Sequence, residues 1–299
     1  MIRAAAKPFN PHRFRDDSRG DVTECDHATP ARAAGRGARA AVSCPSVRLP
    51  RLLAHVLDFA YPGVCANCDA SVAIGDAGHL CRDCDAKLNA MAAAPACEFC
   101  AMPLATHGAP CPHCLGKGVP HFDRVIRLGI FDDPLKHLIH QMKYHKSWVL
   151  GEFLAERLFA TERAKGLLTE TQVLVPVPLH FKRHVTRGYN QAEVIARRLG
   201  RLNRTPVVHA LRRTRDTETQ THLPSHDKRV ANVRGAFALR GRPAAQKIRG
   251  RHVVVVDDVM TSGSTLHEVA RTLRRAEPAS LCAAVLAIAD RKGRGFEVI

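Results

Sequence analysis

The spacing of hydrophobic positions changes several times along the chain, and each change marks an element. Residues 1–46 carry no apolar period, and stretches such as AAGRGARAAV cannot bury enough surface to fold alone, so a disordered tail is expected there. From Leu49 the apolar residues Leu52, Leu53, Val56, Leu57 and Ala60 follow a helical stripe that Pro62-Gly63 stops. Phe122 to Phe131 alternates as a strand, with Val125, Arg127 and Gly129 on one face and Ile126, Leu128 and Ile130 on the other. Leu135, Leu138, Ile139 and Met142 then mark a helix ending in MKYHK, and Leu150, Phe153, Leu154 and Leu158 mark a second. Val173 to Val177 reads as a buried strand ended by Pro176 and Pro178. Asn190, with Glu193 three residues on, predicts a capped helix whose buried stripe is Ala192, Ile195, Ala196 and Leu199.

Val253 to Val256 is the strongest strand signal: four β-branched residues in a row read as a strand buried on both faces, as in a parallel sheet. Leu266, Val269, Ala270 and Leu273 follow at helical spacing. Strands alternating with helices predict an α/β domain with a mostly parallel sheet over residues 119–299.

Eight cysteines interrupt the pattern upstream, in the segment 47–118. They form four C-x-x-C knuckles, Cys65/Cys68, Cys81/Cys84, Cys97/Cys100 and Cys111/Cys114, with twelve, twelve and ten residues between successive pairs. Two intervening residues let both thiolates reach one tetrahedral ion, so four knuckles supply two Cys₄ zinc sites. Sequential pairing is the simplest arrangement, and interleaved pairing satisfies the same spacing. With every position filled by thiolate, both ions would be structural. Disulfides are disfavoured, because no secretory apolar core precedes them and the chain continues into a nucleotide-type domain. A cytoplasmic protein is the corresponding expectation. Cys25 and Cys44 have no partner at ligand spacing.

Between the valine strand and its helix lie Asp257, Asp258 and the small turn Thr261-Ser262-Gly263-Ser264-Thr265. Small residues leading into a helix N-terminus present backbone N–H groups to an anion. No Lys follows the glycine and only one glycine is present, so neither the P-loop nor the dinucleotide fingerprint applies. Two acids beside a phosphate cradle suit a ribose 5-phosphate, with carboxylates facing the vicinal hydroxyls. A second anion site is suggested where Lys182, Arg183 and Arg187 follow the Val173–Val177 strand.

Four apolar residues, two acids and the Thr-Ser-Gly-Ser-Thr loop resemble the phosphoribosyl pyrophosphate (PRPP) motif of type I phosphoribosyltransferases. Together with PVPLHFKRHVTRGYNQAEVIA, RRTRDTETQTHLPSHDKRVANVRGAF and the four knuckles, the chain resembles the ComF family over roughly residues 47–299. That family is associated with natural competence, the uptake of DNA. The resemblance implies a type I phosphoribosyltransferase fold behind a double zinc ribbon. It implies that Asp257 and Asp258 contact the ribose and that Thr261, Ser262, Gly263, Ser264 and Thr265 bind the 5-phosphate. Val175 to Leu179, with Val177 at its centre, would be the pyrophosphate loop, and Arg212 to Leu223 a mobile loop. Mg²⁺ would accompany PRPP, and Arg183, Arg187 or a mobile-loop arginine (Arg213 or Arg215) would stabilise charge on the leaving pyrophosphate.

Composition narrows the partners. The net charge of +17, from 45 Lys and Arg against 28 Asp and Glu, favours phosphorylated or polyanionic partners such as single-stranded DNA. Aromatic residues are only 5% of the chain, which does not advertise a stacking platform. No run approaches the roughly 18 apolar residues of a membrane span, so membrane insertion is not expected. Two functions stay open: phosphoribosyl transfer to an unidentified acceptor, or a non-catalytic DNA-handling or competence-partner role with PRPP as regulatory ligand. A redox or metal-sensing role ranks last, because closed Cys₄ sites are inert. The pattern fixes no oligomeric state.

Overall fold

Each strand of the central sheet alternates its side chains between two hydrophobic cores, and that alternation sets the architecture. The structure is a computed structural model, and it describes residues 63–72, 79–145, 147–179, 188–215 and 232–289. The expected tail at 1–46, the helix expected from Leu49, Arg183, Arg187 and most of the expected mobile loop lie outside the described residues. Every described residue belongs to one compact unit, Leu49–Ile299.

The cysteine-rich segment holds a short antiparallel pair, β1 (Gly63–Val64) and β2 (Ser71–Val72), and then α1 (Arg82–Ala93). The α/β part follows as β3 (Arg124–Ile130), α2 (Leu135–Tyr144), α3 (Trp148–Phe159), α4 (Glu162–Thr169) and β4 (Val173–Pro176). It continues with α5 (Gln191–Asn203), β5 (Leu211–Arg213), β6 (Phe237–Leu239), α6 (Arg242–Ile248), β7 (His252–Met260), α7 (Ser264–Leu273) and β8 (Ser280–Ile288).

Four strands form the main sheet in the order β3-β8-β7-β4, and every pairing is parallel. Val253 and Val255 face one core with Val125, Val175 and Val285. Val254 and Val256 face the other with Ile126, Leu128, Leu174 and Leu286. All four valines of β7 are at most 2% exposed, as a strand buried on both faces requires. The strand runs past them through both acids to Met260, because β8 keeps pairing as far as Met260 opposite Ile288.

The two cysteine clusters divide between the same two cores. Cys65 and Cys84 pack with the α2–α3 side, while Cys97, Cys100, Cys111 and Cys114 pack with Val125, Val255 and Val285. Specific contacts fasten the first cluster: Gln141 Nε2 donates to the Ala66 carbonyl at 2.8 Å, and Arg157 pairs with Asp85 at 2.5 Å. His79 packs edge-on against Phe153 with ring centroids 5.1 Å apart. Gly129 is required where α1 crosses β3. A Cβ there would lie 3.0 Å from Leu135 Cδ2 and 3.3 Å from Met91 Cβ, tighter than ordinary contact.

Candidate functional site

In an open parallel sheet ligands gather at the carboxyl ends of the strands. Here β4 and β7 end side by side, tied by a bond from the Val177 N–H to the Val256 carbonyl at 2.9 Å. The Val177 carbonyl in turn accepts from Asn190 Nδ2 at 3.0 Å, while the Asn190 side-chain oxygen caps α5 by accepting from the Ala192 N–H at 3.2 Å. One asparagine thus locks Val177, just past the end of β4, to the start of α5. Glu193 does not turn back to complete a capping box. Its carboxylate pairs with Arg197 at 2.5 Å and lies 3.7 Å from His209.

The acids at the end of β7 occupy different environments. Asp257 is pushed up to about 7, by burial of its carboxyl first and by the charge of Asp258 second; the Asp258 N–H, Lys143 and Arg213 pull the other way. Asp258 instead has a direct partner, Lys143 Nζ at 3.1 Å, with both side chains less than one-fifth exposed. Lys143 belongs to MKYHK, to which the sequence reading gave no chemistry. Because α2 ends beside β7, its last turn delivers a cation to the acid pair. Replacing Lys143 by Met is expected to leave Asp258 uncompensated beside Asp257 and to weaken the PRPP binding proposed below at least about tenfold, ~1.4 kcal/mol, measured by titration calorimetry.

The turn after β7 leads straight into α7. Gly263 sits at the helix N-cap with φ 75°, a left-handed conformation that suits glycine, and it has no side chain with which to cap α7. Ser262 and Ser264 stand 2.8 Å apart, oxygen to oxygen, on either side of the glycine. α7 itself is firmly seated: its Glu268 is 3% exposed, binds Arg271 through both oxygens and accepts the Gly235 N–H at 2.8 Å.

The two arginines considered for the mobile loop part company. Arg213 ends β5, lies over the Phe237 ring at 5.2 Å and acts electrostatically on Asp257. Arg215 donates to the Asn232 and Arg234 carbonyls, closing the base of the β5–β6 hairpin.

The cysteines gather in sequence order: Cys65, Cys68, Cys81 and Cys84 form one group, and Cys97, Cys100, Cys111 and Cys114 the other. Within each group all four sulfurs lie within 4.8 Å of one another. Sulfurs about 2.3 Å from one zinc ion would stand about 3.8 Å apart at the corners of a tetrahedron. The close pairs match that edge: Cys68–Cys81 3.7 Å, Cys68–Cys84 3.6 Å, Cys97–Cys114 3.7 Å and Cys100–Cys111 3.6 Å. Burial pushes Cys84 up to about 12, whereas at Cys65 backbone donors from Cys81, Asn67 and Cys68 outweigh burial and hold it at about 6. Backbone N–H groups aimed at sulfur stabilise thiolate, the form that binds metal. Both sites fit structural zinc.

Two curated relatives decide the family. Competence protein F of Haemophilus influenzae is 32% identical over 215 residues, 71% of this chain and 90% of its own. The DNA utilization protein YhgH of Escherichia coli K12 is 34% identical over 219 residues, 72% of this chain and 92% of its own. The chain belongs to the competence protein F (ComF) family. Within this ComF protein a phosphoribosyl transferase domain model matches residues 185–298, and a double zinc ribbon domain model matches 56–115. The α/β part therefore has the type I phosphoribosyltransferase fold, and the cysteine-rich module in front of it is a double zinc ribbon. A purine phosphoribosyltransferase from Pyrococcus horikoshii overlaps 46% of this chain and 70% of its own, at 19% identity and TM-score 0.26. Among the described residues of the ComF chain, no helix is long and apolar enough to cross a membrane.

Proposed function

We propose that this ComF protein binds PRPP at the carboxyl ends of β4 and β7 and transfers its phosphoribosyl group to an acceptor not yet identified. The observation that carries the reading is the juxtaposition at the end of β7: two acids of unlike environment, followed by a small-residue turn that enters α7 through a left-handed glycine. Thr261 to Thr265 would hold the 5-phosphate at the α7 N-terminus. Asp257 and Asp258 would accept hydrogen bonds from the ribose hydroxyls. Val177 would anchor the pyrophosphate loop, since its own N–H and carbonyl are engaged by Val256 and Asn190.

Mg²⁺, when bound with PRPP, supplies charge neutralisation to the pyrophosphate. Arg213, which acts electrostatically on Asp257, would stabilise negative charge that builds as the C1′–pyrophosphate bond breaks. Arg183 and Arg187 are proposed for the same task. The setting proposed is the cytoplasm: none of the nine described cysteines is in a disulfide, and eight are grouped as zinc ligands, a chemistry suited to a reducing compartment.

A second reading keeps PRPP as a regulatory ligand of a DNA-handling protein. It is favoured by the zinc ribbons and by the net charge of +17. A pyrophosphate-release assay across nucleobases and single-stranded oligonucleotides separates the two. Release that requires an acceptor and disappears in the Asp257→Asn/Asp258→Asn variant supports transfer. PRPP binding without release from any acceptor overturns transfer and leaves the regulatory role.

A further inference from the structure

The chain contains one Trp and three Tyr. Tyr144 ends α2 and Trp148 begins α3, and a second tyrosine, Tyr189, lines the same groove as Trp148. Tyr144 is 58% exposed and Trp148 54%, and Val149 beside them is 39% exposed. The Tyr144 ring lies 4.5 Å from that of His140, so the aromatic surface is extended by one ring. Tyr189 donates its hydroxyl hydrogen bond to the Met142 carbonyl, which brings the segment just before α5 to the corner between α2 and α3. Three consecutive residues thus connect three features: Met142 holds Tyr189, Lys143 holds Asp258, and Tyr144 opens the aromatic surface.

Trp148 and Tyr189 line a broad groove of about 900 Å³ that crosses α5, with Arg197, Arg201 and His209 along it. Both arginines are more than half exposed, and each is paired with a glutamate, Glu193 or Glu152. An exposed tryptophan with aromatic neighbours is costly in water and useful against a flat partner. Successive unpaired bases are such partners, because every base has a π-face.

We propose that this corner, with Trp148 at its centre, is a stacking surface for single-stranded DNA running along the groove over α5. The charge balance sharpens the proposal. With Arg197 and Arg201 neutralised in part by Glu193 and Glu152, contact comes from stacking more than from phosphate pairing. One or two phosphate contacts give a log–log salt slope of only roughly −0.7 to −1.4 on single strands. The surface is distinct from the acid pair, so it stands whether or not PRPP is turned over there.

Trp148 is its own reporter, because no other tryptophan contributes to the fluorescence. Zinc-loaded full-length protein is titrated with a thymidine oligomer in the absence of PRPP and Mg²⁺. Saturable quenching of Trp148 with the shallow salt slope is expected. By anisotropy of a labelled oligomer, Trp148→Ala is expected to bind about 5- to 150-fold more weakly, the range that one stacked base supplies, and Trp148→Phe to recover part of the loss. Two zinc per chain and unchanged PRPP binding in Trp148→Ala exclude misfolding. Oligomer binding that leaves Trp148 fluorescence unchanged, or that Trp148→Ala matches, overturns the proposal, as does no binding at all. Equal quenching by free thymidine makes the corner a small-molecule site. Quenching that follows protein concentration alone makes it a self-association face. Either outcome also overturns the proposal.

Discussion

Stripping the zinc should unfold more than the ribbons. Cys97, Cys100, Cys111 and Cys114 are each at most 8% exposed and share a core with Val125, Val255 and Val285 of the sheet. Without an ion, four sulfurs within 4.8 Å of one another are buried with no charge to hold them together. Structural zinc contributes on the order of 10–16 kcal/mol in small zinc peptides, comparable to the whole 5–15 kcal/mol stability of a domain. Chelation under reducing conditions is therefore expected to lower the melting temperature by more than about 10 °C and to cost α/β as well as ribbon signal in circular dichroism. Cys100→Ser, at a fully buried ligand, should reproduce that loss, whereas Cys68→Ser, at an exposed one, should cost less. Elemental analysis should find two zinc per chain. A protein with one zinc or none that melts as the loaded form does would remove the double-ribbon account of stability.

Asp257→Asn should make the ligand-free protein more stable while abolishing PRPP binding. An unfolded Asp titrates near 3.9, and burial followed by the Asp258 charge raises Asp257 to about 7 in the fold. Between those values the folded chain holds a proton that the unfolded chain releases, so stability falls as pH rises from about 4 to about 7. Below pH 4 the effect is absent; above about pH 7 it is complete. Three pKa units correspond to about 4 kcal/mol at most, and coupling to Asp258 makes 2–4 kcal/mol the realistic scale. Asparagine keeps the Oδ1 that accepts the Asp258 N–H at 2.9 Å and carries no charge. Melting curves of the two proteins should thus coincide near pH 4 and separate near pH 8, with the variant higher. PRPP binding by the wild type should strengthen between pH 6 and 8, as Asp257 ionises and can accept the ribose hydroxyls. Coincident melting curves at pH 8 would show that Asp257 is not strained in the ligand-free site.

The sheet strands with β-branched runs were legible because burial on both faces leaves an uninterrupted apolar signature, as at Val253–Val256 and Val173–Val177. β8 was not read, although all but its first residue are buried and it lies inside the sheet. Its sequence SLCAAVLAI is rich in alanine, which has low strand propensity, and has no period of two. The helices α1 and α4 were unread for a different reason. α1 is polar by composition and places only Cys84 and Leu88 in the core, and α4 buries only Ala164 and Leu168. Neither stripe rises above the background of its neighbours.

Motif spacing made the acid pair, the small-residue turn after it and the zinc ligands visible because each lies within a few residues. Cooperation between distant segments was not visible in that way. Lys143 reaches Asp258 only because α2 ends beside β7, and Arg213, at the end of β5, acts on Asp257 through space from a distant part of the chain. Composition counts aromatics without placing them: Tyr144 and Trp148 are close in sequence, whereas Tyr189 lines a groove with Trp148 only because the chain folds back, its hydroxyl bonded to the Met142 carbonyl.

The most direct test of the central claim is titration calorimetry of the zinc-loaded protein with PRPP and Mg²⁺ at pH 8. The wild type is expected to show saturable binding, and Asp257→Asn/Asp258→Asn none, with two zinc retained and an intact melting transition in both. A wild type that does not bind PRPP, or a double variant that binds it equally, would contradict the assignment of β7 and its turn as the PRPP site.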